Sequence, residues 1–586
     1  MTIETHPESV LPDLADAEAP GGPGRHVAAP LAPRAFGADW WQRGIVYQVY
    51  PRSFADSTGD GVGDLQGLIS RLDYLNDGTE RSLGVDAIWL SPIYPSPGLD
   101  VGYDVSDHAD IDPVFGTLDD FDRLIDEAHK RGIRVVLDLV MNHTSSAHPW
   151  FQASRTDPNG PHGDWFIWRD PPPTWRRRPQ PRRRPNNWVS FFGGPAWTWD
   201  EARGQFYLHT FLPEQPDLNW RNPAVRDAML AMASGWLARG VDGFRLDVFN
   251  AFFKHPELRS NPRRLLGRRA YDRQHHAYDK NQPELREFLA DFRALVDERG
   301  GRMTVGELFS TDPRAAGQYQ EPRHLVFDFH LIEQPWRAEA FAKATAEREA
   351  IFGPTGWPTV VLSNHDRSRH VSRFGGGPTG DDVAKAAAVL MLTLRGTPFL
   401  YYGEEIGLRD VPIPRAEIVD PPARRGSAIS RALAPWWNRD QARAPMAWSD
   451  APNGGFSTGR PWLRMPPDWK TRNVARHDAD PSSILNTYRR LVWLRRRHPA
   501  LQLGEIRQLP TGAAGRDVFA YHRWEGDELV LVAVNFGRDR GWVRLEGRPS
   551  GVWEALFSTR EPFEGTRQNG TRLDLRPLEA VILRAR

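Results

Sequence analysis

Three acidic residues each follow a short apolar run that is typical of a buried β-strand. Asp247 ends the run GVDGFRLD, Glu307 ends GRMTVGE, and Asp366 ends TVVLSNHD. A carboxylate beside a buried segment costs desolvation energy, so another interaction or a function must offset it. In a (β/α)8 barrel the C-terminal ends of the strands meet at one face, where the chemistry is built. Three carboxylates that converge there could hydrolyse a glycosidic bond, because that reaction needs a pair of carboxyl groups flanking the bond.

Each carboxylate taken alone could instead be a helix N-cap or a turn residue, since both are common after a strand. The polar neighbours of the acids argue against a set of caps. Arg245 lies two residues before Asp247, so both side chains can point to the same side of a strand. His365 precedes Asp366, and His143 ends the run GIRVVLDLVMNH. Arginine, histidine and carboxylate groups at strand ends favour a sugar-binding pocket.

Several motifs in this order closely resemble the α-amylase superfamily of glycoside hydrolases (family 13). Four segments are similar to its signature regions: DLVMNH (138–143), GFRLDVF (243–249), GEL (306–308) and SNHD (363–366). The segment QPDLNW (215–220) resembles a further signature of the oligo-1,6-glucosidase and α-glucosidase branch. The resemblance runs from about residue 40 to the C-terminal end.

The fold class that follows is α/β, a (β/α)8 TIM barrel with a small inserted domain after strand 3 and a C-terminal antiparallel β-sandwich. Eight apolar runs between residues 44 and 407 are predicted as the barrel strands, and the shorter alternating runs from about residue 502 as sandwich strands. The predicted units are a disordered leader (1–38), the first part of the catalytic barrel (39–143), the inserted domain (144–206), the second part of the barrel (207–501) and the sandwich (502–586).

The resemblance implies a role for each acidic residue. Asp247 matches the family nucleophile, which forms a covalent glycosyl-enzyme, and Arg245 would keep it ionised because a neighbouring cation lowers a carboxyl pKa. Glu307 matches the general acid, which later acts as a base on water. Asp366 matches the third carboxylate, which holds the hydroxyls of the distorted sugar.

The resemblance also implies a set of substrate-binding residues. His143 and His365 match histidines that bind sugar hydroxyls, although buried structural histidines are the alternative. Asp104 and Arg443 match a charged pair that closes the end of the pocket, which implies an exo-acting enzyme. Tyr103 and Phe166 are candidate stacking walls.

Val248, directly after the nucleophile, is the candidate for linkage preference. In this family valine at that position accompanies activity on α-1,6 bonds, and threonine accompanies α-1,4 preference. One methyl group against one hydroxyl is worth about 1–3 kcal/mol, so we expect a bias and not an absolute rule.

The acidic loop DSTGDGVGD (56–64) resembles the start of an EF-hand calcium loop. Its oxygen ligands would be Asp56, Thr58, Asp60, Asp64 and the carbonyl of Val62. The twelfth loop position is glycine and not the bidentate glutamate, so a metal-free acidic turn is the alternative. We expect a structural Ca²⁺ or Mg²⁺ and no organic cofactor.

Composition narrows the function classes further. The 75 basic and 75 acidic residues balance, so no global field attracts nucleic acid. The Arg- and Pro-rich segment 171–188 is interpreted as a solvated loop, with a nucleic-acid patch as the alternative. There is no cysteine, and therefore no thiol nucleophile. Neither a secretory signal nor a long apolar stretch is visible, so we expect a cytoplasmic protein without a membrane partner.

The sequence therefore predicts a retaining α-glucosidase that releases glucose from small α-glucosides such as isomaltose, maltose or short dextrins. A first alternative is a relative that transfers or isomerises with the same pocket: trehalose synthase, sucrose isomerase or a transglucosylase. A second is a non-catalytic barrel ectodomain of an amino-acid transporter subunit, which needs a membrane anchor and tolerates lost carboxylates. The oligomeric state is left open.

Overall fold

The computed structural model describes most of the chain. The described residues are 37, 39–171, 184–267, 269–308, 313–320, 324–375, 377, 379–425, 438–510, 512–546, 552–560, 565–568 and 570–586. All but one residue of the predicted leader (1–38) lie outside this set, as do residues 172–183 of the Arg- and Pro-rich segment.

Eight parallel strands form the core of the molecule, and each lies within one of the predicted apolar runs. A separate inserted sheet contains β4 (Trp168–Arg169), β5 (Trp197–Asp200) and β6 (Gln205–Leu208). The eight strands of the core are β1 (Val46–Val49), β2 (Ala87–Leu90), β3 (Arg134–Leu139), β7 (Gly243–Leu246), β8 (Met303–Gly306), β9 (Leu325–Val326), β10 (Thr359–Val361) and β11 (Thr397–Tyr401). Nearly all their residues are buried. Strands covered on both faces read as continuous apolar runs, which is why the sequence shows them clearly.

The order of the eight strands is β10-β11-β1-β2-β3-β7-β8-β9. The first and last strands of this order, β10 and β9, are joined by the hydroxyl of Thr359 on β10. This hydroxyl accepts from the backbone N–H of Asp328 at 2.9 Å and donates to the carbonyl of Val326 at 3.4 Å. The sheet therefore curls into the expected (β/α)8 barrel, and the predicted fold class is confirmed.

Helices cover the outside of the barrel and connect its strands. The longer ones are Leu118–Lys130, Pro149–Thr156, Pro223–Ala238, Glu284–Asp297, Ala338–Phe352, Gly380–Thr393 and Ile484–Arg497; the shorter α-helices are Trp40–Arg43, Leu65–Ile69, Leu72–Leu75, His370–Arg373, Pro421–Arg425, Val474–Ala479 and Pro499–Gln502. Helix Leu118–Lys130 begins with a capping box in which Thr117 and Asp120 each accept a backbone N–H of the other. Within the described ranges, no helix is long and apolar enough to cross a membrane.

Two smaller units complete the chain. The inserted sheet has the order β4-β6-β5, and β6 ends at Leu208, two residues beyond the predicted end of the insertion at residue 206. The C-terminal unit pairs a sheet of β12 (Glu505–Gln508), β13 (Val518–Glu525), β14 (Glu528–Asn535), β16 (Trp553–Ser558), β17 (Arg567–Gln568) and β19 (Ala580–Ala585) with a two-stranded sheet of β15 (Gly541–Arg544) and β18 (Arg572–Leu575). Apolar side chains of both sheets form one core between them, as in a sandwich.

Candidate active site

The three acidic residues of the sequence prediction lie at the C-terminal ends of barrel strands. Asp247 directly follows β7, and Glu307 directly follows β8. Asp366 comes after a short loop from Val361, the last residue of β10. The carboxyl ends of the strands meet at one face of a barrel, so the three side chains come together there.

Arg245 lies at the centre of this acidic group. Its side chain on β7 is buried, and its Nη1 donates to Oδ1 of Asp247 and to Oδ1 of Asp138, both at 2.6 Å. Its Nη2 donates to Oε2 of Glu307. One guanidinium thus serves three carboxyl groups, so its single positive charge cannot balance all three if they are ionised.

This imbalance appears in the pKa values of the two strand-end acids. Burial raises the pKa of Asp247 to about 7, and the nearby charges of Asp138 and Asp366 add to the rise, while Arg245 opposes it. Burial likewise raises the pKa of Glu307 to about 7, with Asp247 contributing and Arg245 opposing. Near neutral pH the pair can therefore hold one proton between two carboxyl groups.

Asp366 behaves in the opposite way. Burial would raise its pKa, but the positive charges of Arg439, Arg443 and Arg245 outweigh burial and hold the pKa well below its usual range. Its Oδ1 accepts from Nη2 of Arg443 at 2.9 Å and from Nη1 of Arg439 at 3.2 Å. Asp366 therefore stays ionised over the working pH range.

The predicted charged pair between Asp104 and Arg443 is wrong. Among the described residues these two side chains share no hydrogen bond or ion pair. Asp104 accepts from Oγ of Ser96 and from the backbone N–H groups of Leu99 and Asp100 at 2.8–2.9 Å, so it shapes its own loop.

The charged pair at this side of the pocket is Asp100 with Arg439, at 2.7 Å between Oδ1 and Nη2. Arg439 also donates from Nε to Asp420 at 2.7 Å. The motif DVGYD offers two aspartates, and only the folded loop shows that Asp100 is the one facing an arginine.

Both predicted histidines lie at the site and are neutral. Burial lowers the pKa of His365 to about 3 and that of His143 to about 4. His365 Nε2 lies 2.7 Å from the hydroxyl of Tyr103, whose ring stacks on the imidazole at 5.5 Å and 4°. His143 Nε2 contacts the Tyr103 carbonyl at 3.1 Å and Nε2 of Gln215 at 3.1 Å.

The prediction that Phe166 forms a stacking wall is also corrected. Its ring is only 2% exposed and packs edge-on against Phe151 at 5.1 Å, in the main core. Two other phenylalanines lie against the charged residues of the site. Phe192 lies 5.2 Å from the Arg439 guanidinium, and Phe211 lies 5.2 Å from His143. Local sequence patterns carry no signal for them, because they lie in the irregular inserted segment and the loop that follows it.

Val248 packs in a small apolar cluster with Phe192, Phe211 and Leu212. Its backbone is left-handed, with φ 35° and ψ 39°. This conformation is strained for a β-branched residue, so the surrounding packing must hold it. It turns the chain sharply after Asp247 into the short 3₁₀ helix Phe249–Ala251.

The acidic loop 56–64 folds as a series of tight turns. Asp56 Oδ1 accepts from the backbone N–H groups of Thr58 and Gly59, and Asp60 Oδ1 accepts from that of Val62. Asp64 caps helix Leu65–Ile69, accepting from the Gly67 N–H at 2.7 Å. Across the described ranges, no three histidine or acidic side chains converge as a metal cluster. The predicted donors are all hard oxygens, which is the chemistry that Ca²⁺ and Mg²⁺ prefer.

Comparison with known proteins gives concordant results. Residues 48–504 match the family model described as the catalytic domain of alpha amylase. The chain is 42% identical to a probable alpha-glucosidase of Rhizobium meliloti (strain 1021), covering 86% of this chain and 91% of that protein. It is 37% identical to an oligo-1,6-glucosidase of Parageobacillus thermoglucosidasius, covering 93% and 99%. The crystal structure of an alpha-glucosyl transfer enzyme superposes with a TM-score of 0.84 at 38% identity, covering 93% and 99%.

Proposed function

Because the chain belongs to the α-amylase family of glycoside hydrolases, family 13, we propose that it is a retaining, exo-acting α-glucosidase of short oligosaccharides. The observation that carries this proposal is the bridge that Arg245 makes between Asp247 and Glu307. One guanidinium can reach only carboxyl groups that lie close together. Retaining enzymes hold their two carboxyl groups about 5–5.5 Å apart, whereas inverting enzymes leave a wider gap for water.

In the first step the protonated Glu307 gives its proton to the glycosidic oxygen. The ionised Asp247 attacks the anomeric carbon, the bond to the leaving sugar breaks, and a glycosyl ester forms on Asp247. The raised pKa of Glu307 suits this role, because an acid with a pKa near the working pH both holds and releases its proton.

In the second step Glu307, now ionised, takes a proton from water. The water oxygen bonds to the anomeric carbon, and Asp247 leaves as a carboxylate, so glucose retains the α-configuration. Arg245 stabilises whichever of the two carboxyl groups is ionised at each stage. This alternation explains why one cation is shared by both acids.

Asp366, held ionised by Arg443 and Arg439, is proposed to grip the hydroxyl groups of the reacting glucose. A fixed carboxylate beside the sugar also stabilises positive charge that develops at the anomeric centre in the transition state. His143 and His365 are neutral and can bind hydroxyl groups without adding positive charge there.

The pair of Asp100 and Arg439 is proposed to close the inner end of the pocket. Its charged groups can hydrogen-bond the hydroxyls of a terminal glucose. A sugar chain that continues beyond that glucose would collide with the ion pair, in which Arg439 is also held by Asp420. Attack is therefore confined to the ends of sugar chains.

Linkage preference is proposed to depend on Val248, which packs with Phe192 and Phe211 one residue after the nucleophile. We propose that this apolar surface contacts the second sugar and favours α-1,6 over α-1,4 bonds. The likeness to an oligo-1,6-glucosidase supports this preference.

A transferring enzyme is the second candidate, favoured by the likeness to an alpha-glucosyl transfer enzyme. The first step is the same, and the acceptor of the glucosyl group is then a sugar hydroxyl in place of water. Product analysis on maltose, isomaltose, sucrose and trehalose separates the two, because hydrolysis yields glucose and transfer yields new disaccharides or longer products.

We also propose that the acidic loop 56–64 holds a structural Ca²⁺ or Mg²⁺. The support is the alternation of oxygen-bearing residues and the turns in which Asp56 and Asp60 accept N–H groups of their own loop. The ion would stabilise the native state and take no part in the chemistry.

The test of the proposed mechanism is the variant Asp247→Ala, with Asp291→Ala on the exposed face of helix Glu284–Asp297 as a control. We expect kcat to fall by several orders of magnitude in the first variant and to stay unchanged in the second. Proton NMR of the wild-type reaction should show α-glucose as the first product. A folded Asp247→Ala variant with more than about a tenth of wild-type activity, or β-glucose as the first product, would exclude the mechanism.

A further inference from the structure

Gln48 is a buried side chain that the proposed mechanism does not use. It lies on β1, is 1% exposed, and places its amide Nε2 2.7 Å from Nδ1 of His365. The same Nε2 lies 3.4 Å from Oγ of Ser91. A buried amide aimed at a ring nitrogen decides which nitrogen of that ring carries the proton.

The position of the His365 ring does not depend on Gln48. Tyr103 stacks on the imidazole at 5.5 Å, and Tyr50 stacks on it at 6.1 Å. Trp89 meets the imidazole at 82° and 5.9 Å. Three aromatic contacts therefore fix where the ring lies, and the remaining freedom is the location of its hydrogen.

Hydrogen bonds beyond Tyr103 show which ring nitrogen carries that hydrogen. Asp138 accepts from Nη1 of Arg245 at 2.6 Å and faces Nε1 of Trp89 at 3.3 Å, and both of these groups can only donate. Asp138 also lies 3.0 Å from the hydroxyl of Tyr103. Because Asp138 is the acceptor of this group, the single hydroxyl hydrogen of Tyr103 points to it.

The oxygen of Tyr103 is then free to accept, and its neighbour at 2.7 Å is Nε2 of His365. Nε2 must therefore carry the ring hydrogen. Nδ1 has a lone pair, which needs a donor, and the amide of Gln48 supplies it. The hydrogen bonds run in one direction, from Gln48 through His365 and Tyr103 to Asp138.

We propose that Gln48 is a positioning residue that holds His365 as the neutral tautomer with its hydrogen on Nε2. Nε2 lies 3.6 Å from Oδ1 of Asp366, on the side where the reacting sugar is expected. In this tautomer the Nε2–H donates to Tyr103 and also places its partial positive charge near Asp366. In the other tautomer Nε2 would present a lone pair to a carboxylate, which repels it.

The charged groups around His365 act in both directions. Asp366 favours protonation of the ring, whereas Arg443, Arg245 and Arg439 oppose it, and burial is the largest effect. A neutral donor at Nδ1 adds no charge to this balance, so the ring stays neutral in the working range. A carboxylate in place of the Gln48 amide would shift the balance toward the imidazolium ion.

The test compares Gln48→Glu with Gln48→Met in the full-length enzyme. The carboxylate that Gln48→Glu introduces can only accept a hydrogen bond, so it favours a hydrogen on Nδ1 of His365. Methionine in Gln48→Met removes the donor to Nδ1 without introducing a strong acceptor there. We expect kcat to fall about tenfold in Gln48→Met with an unchanged pH profile. In Gln48→Glu we expect a loss of at least about 100-fold near neutral pH, because the carboxylate draws a second hydrogen onto His365 and the resulting imidazolium opposes the positive charge that develops on the sugar. We also expect a new acid limb in the pH profile, where the imidazolium forms.

A readout without activity is the ¹⁵N spectrum of the histidine rings, with His365 assigned by its loss in His365→Asn. We expect a lone-pair nitrogen at Nδ1 and a protonated Nε2 in the wild type, and protonation at both nitrogens in Gln48→Glu. A protonated Nδ1 in the wild type overturns the inference, as do wild-type ring shifts and a wild-type pH profile in Gln48→Glu.

The kinetic part of this test depends on the proposed function, and the spectrum does not. If Asp247→Ala stays active while the wild-type spectrum shows a hydrogen on Nε2, the proposed function fails and the tautomer assignment stands. If Gln48→Glu does not fold, the wild-type spectrum still decides, because Nε2 must carry the hydrogen there and a protonated Nδ1 overturns the inference.

Discussion

Replacing Glu307 by glutamine should make the protein more stable at neutral and alkaline pH while abolishing its activity. Three carboxyl groups surround the single guanidinium of Arg245, so the group carries excess negative charge once all three ionise. The neutral amide of Glu307→Gln removes one of these charges, and Arg245 keeps Asp247 and Asp138 as partners. Strain of this kind is a common cost of a catalytic site.

The magnitude follows from the pKa of Glu307, which burial and Asp247 raise from 4.5 to about 7. One pKa unit corresponds to about 1.4 kcal/mol, so ionising Glu307 costs the folded state at most about 3 kcal/mol. Its side chain is only 13% exposed, so solvent screening is weak. Because Glu307 shares Arg245 with Asp247, the cost of ionising Glu307 is smaller than this limit. We expect Glu307→Gln to raise the free energy of unfolding by about 1–3 kcal/mol.

The stability difference between Glu307→Gln and the wild type depends on pH. The folded-state pKa lies above the unfolded value, so folded Glu307 holds its proton while unfolded Glu307 loses it. The destabilisation is therefore absent below about pH 4.5, grows as pH rises, and is complete above about pH 7. The glutamine variant should match the wild type at pH 4.5 and exceed it at pH 8.

Differential scanning calorimetry from pH 4.5 to 9 measures this difference, at a fixed scan rate because a chain of this size can unfold irreversibly. We expect Glu307→Gln to melt a few degrees above the wild type at pH 8. The control is Glu298→Gln at an exposed position, which should show no pH-dependent difference. A melting difference that is independent of pH, or a glutamine variant that is less stable at pH 8, refutes the reasoning.

Three further predictions concern the pocket and the acidic loop. Asp100→Ala should lower kcat/KM on isomaltose by about 10–100-fold, which is the size of one charged hydrogen bond. Asp104→Ala should lower mainly the melting temperature. If the two effects are reversed, the pocket is closed by Asp104 with Arg443, as the sequence predicted. Isomaltose should be cleaved at least as well as maltose, and Val248→Thr should shift kcat/KM toward maltose by about tenfold; an unmoved ratio places the linkage preference elsewhere. Excess EDTA should lower the melting temperature, with recovery on adding Ca²⁺ or Mg²⁺; an unchanged curve in protein without detectable metal leaves only the metal-free turn.

The barrel could be predicted because its strands are buried on both faces. Such strands appear in the sequence as continuous apolar runs, and polar residues directly after them are conspicuous. This is how Asp247, Glu307 and Arg245 could be placed before any contact was known. Asp138 lies inside one of the same runs, but its role as an acceptor of Arg245 and Tyr103 depends on contacts between different strands.

The loop contacts could not be predicted in the same way. Asp100 and Arg439 are 339 residues apart, and nothing in the local pattern distinguishes Asp100 from Asp104. Phe192 lies in the inserted segment, where periodicity gives no guide to side-chain direction. The contact of Gln48 with His365 also needs the closed barrel, because β1 and the loop after β10 are 317 residues apart in sequence.

The most direct measurement of the central claim is the mass of a trapped intermediate. The enzyme is incubated with a fluorinated α-glucosyl fluoride that forms the glycosyl ester quickly and hydrolyses it slowly, then denatured, digested and analysed by mass spectrometry. We predict one added fluoroglucosyl group on the peptide containing Asp247, and none in Asp247→Ala. An adduct on another residue, or turnover of the probe with inversion and no adduct, contradicts the assignment of Asp247 as the covalent nucleophile.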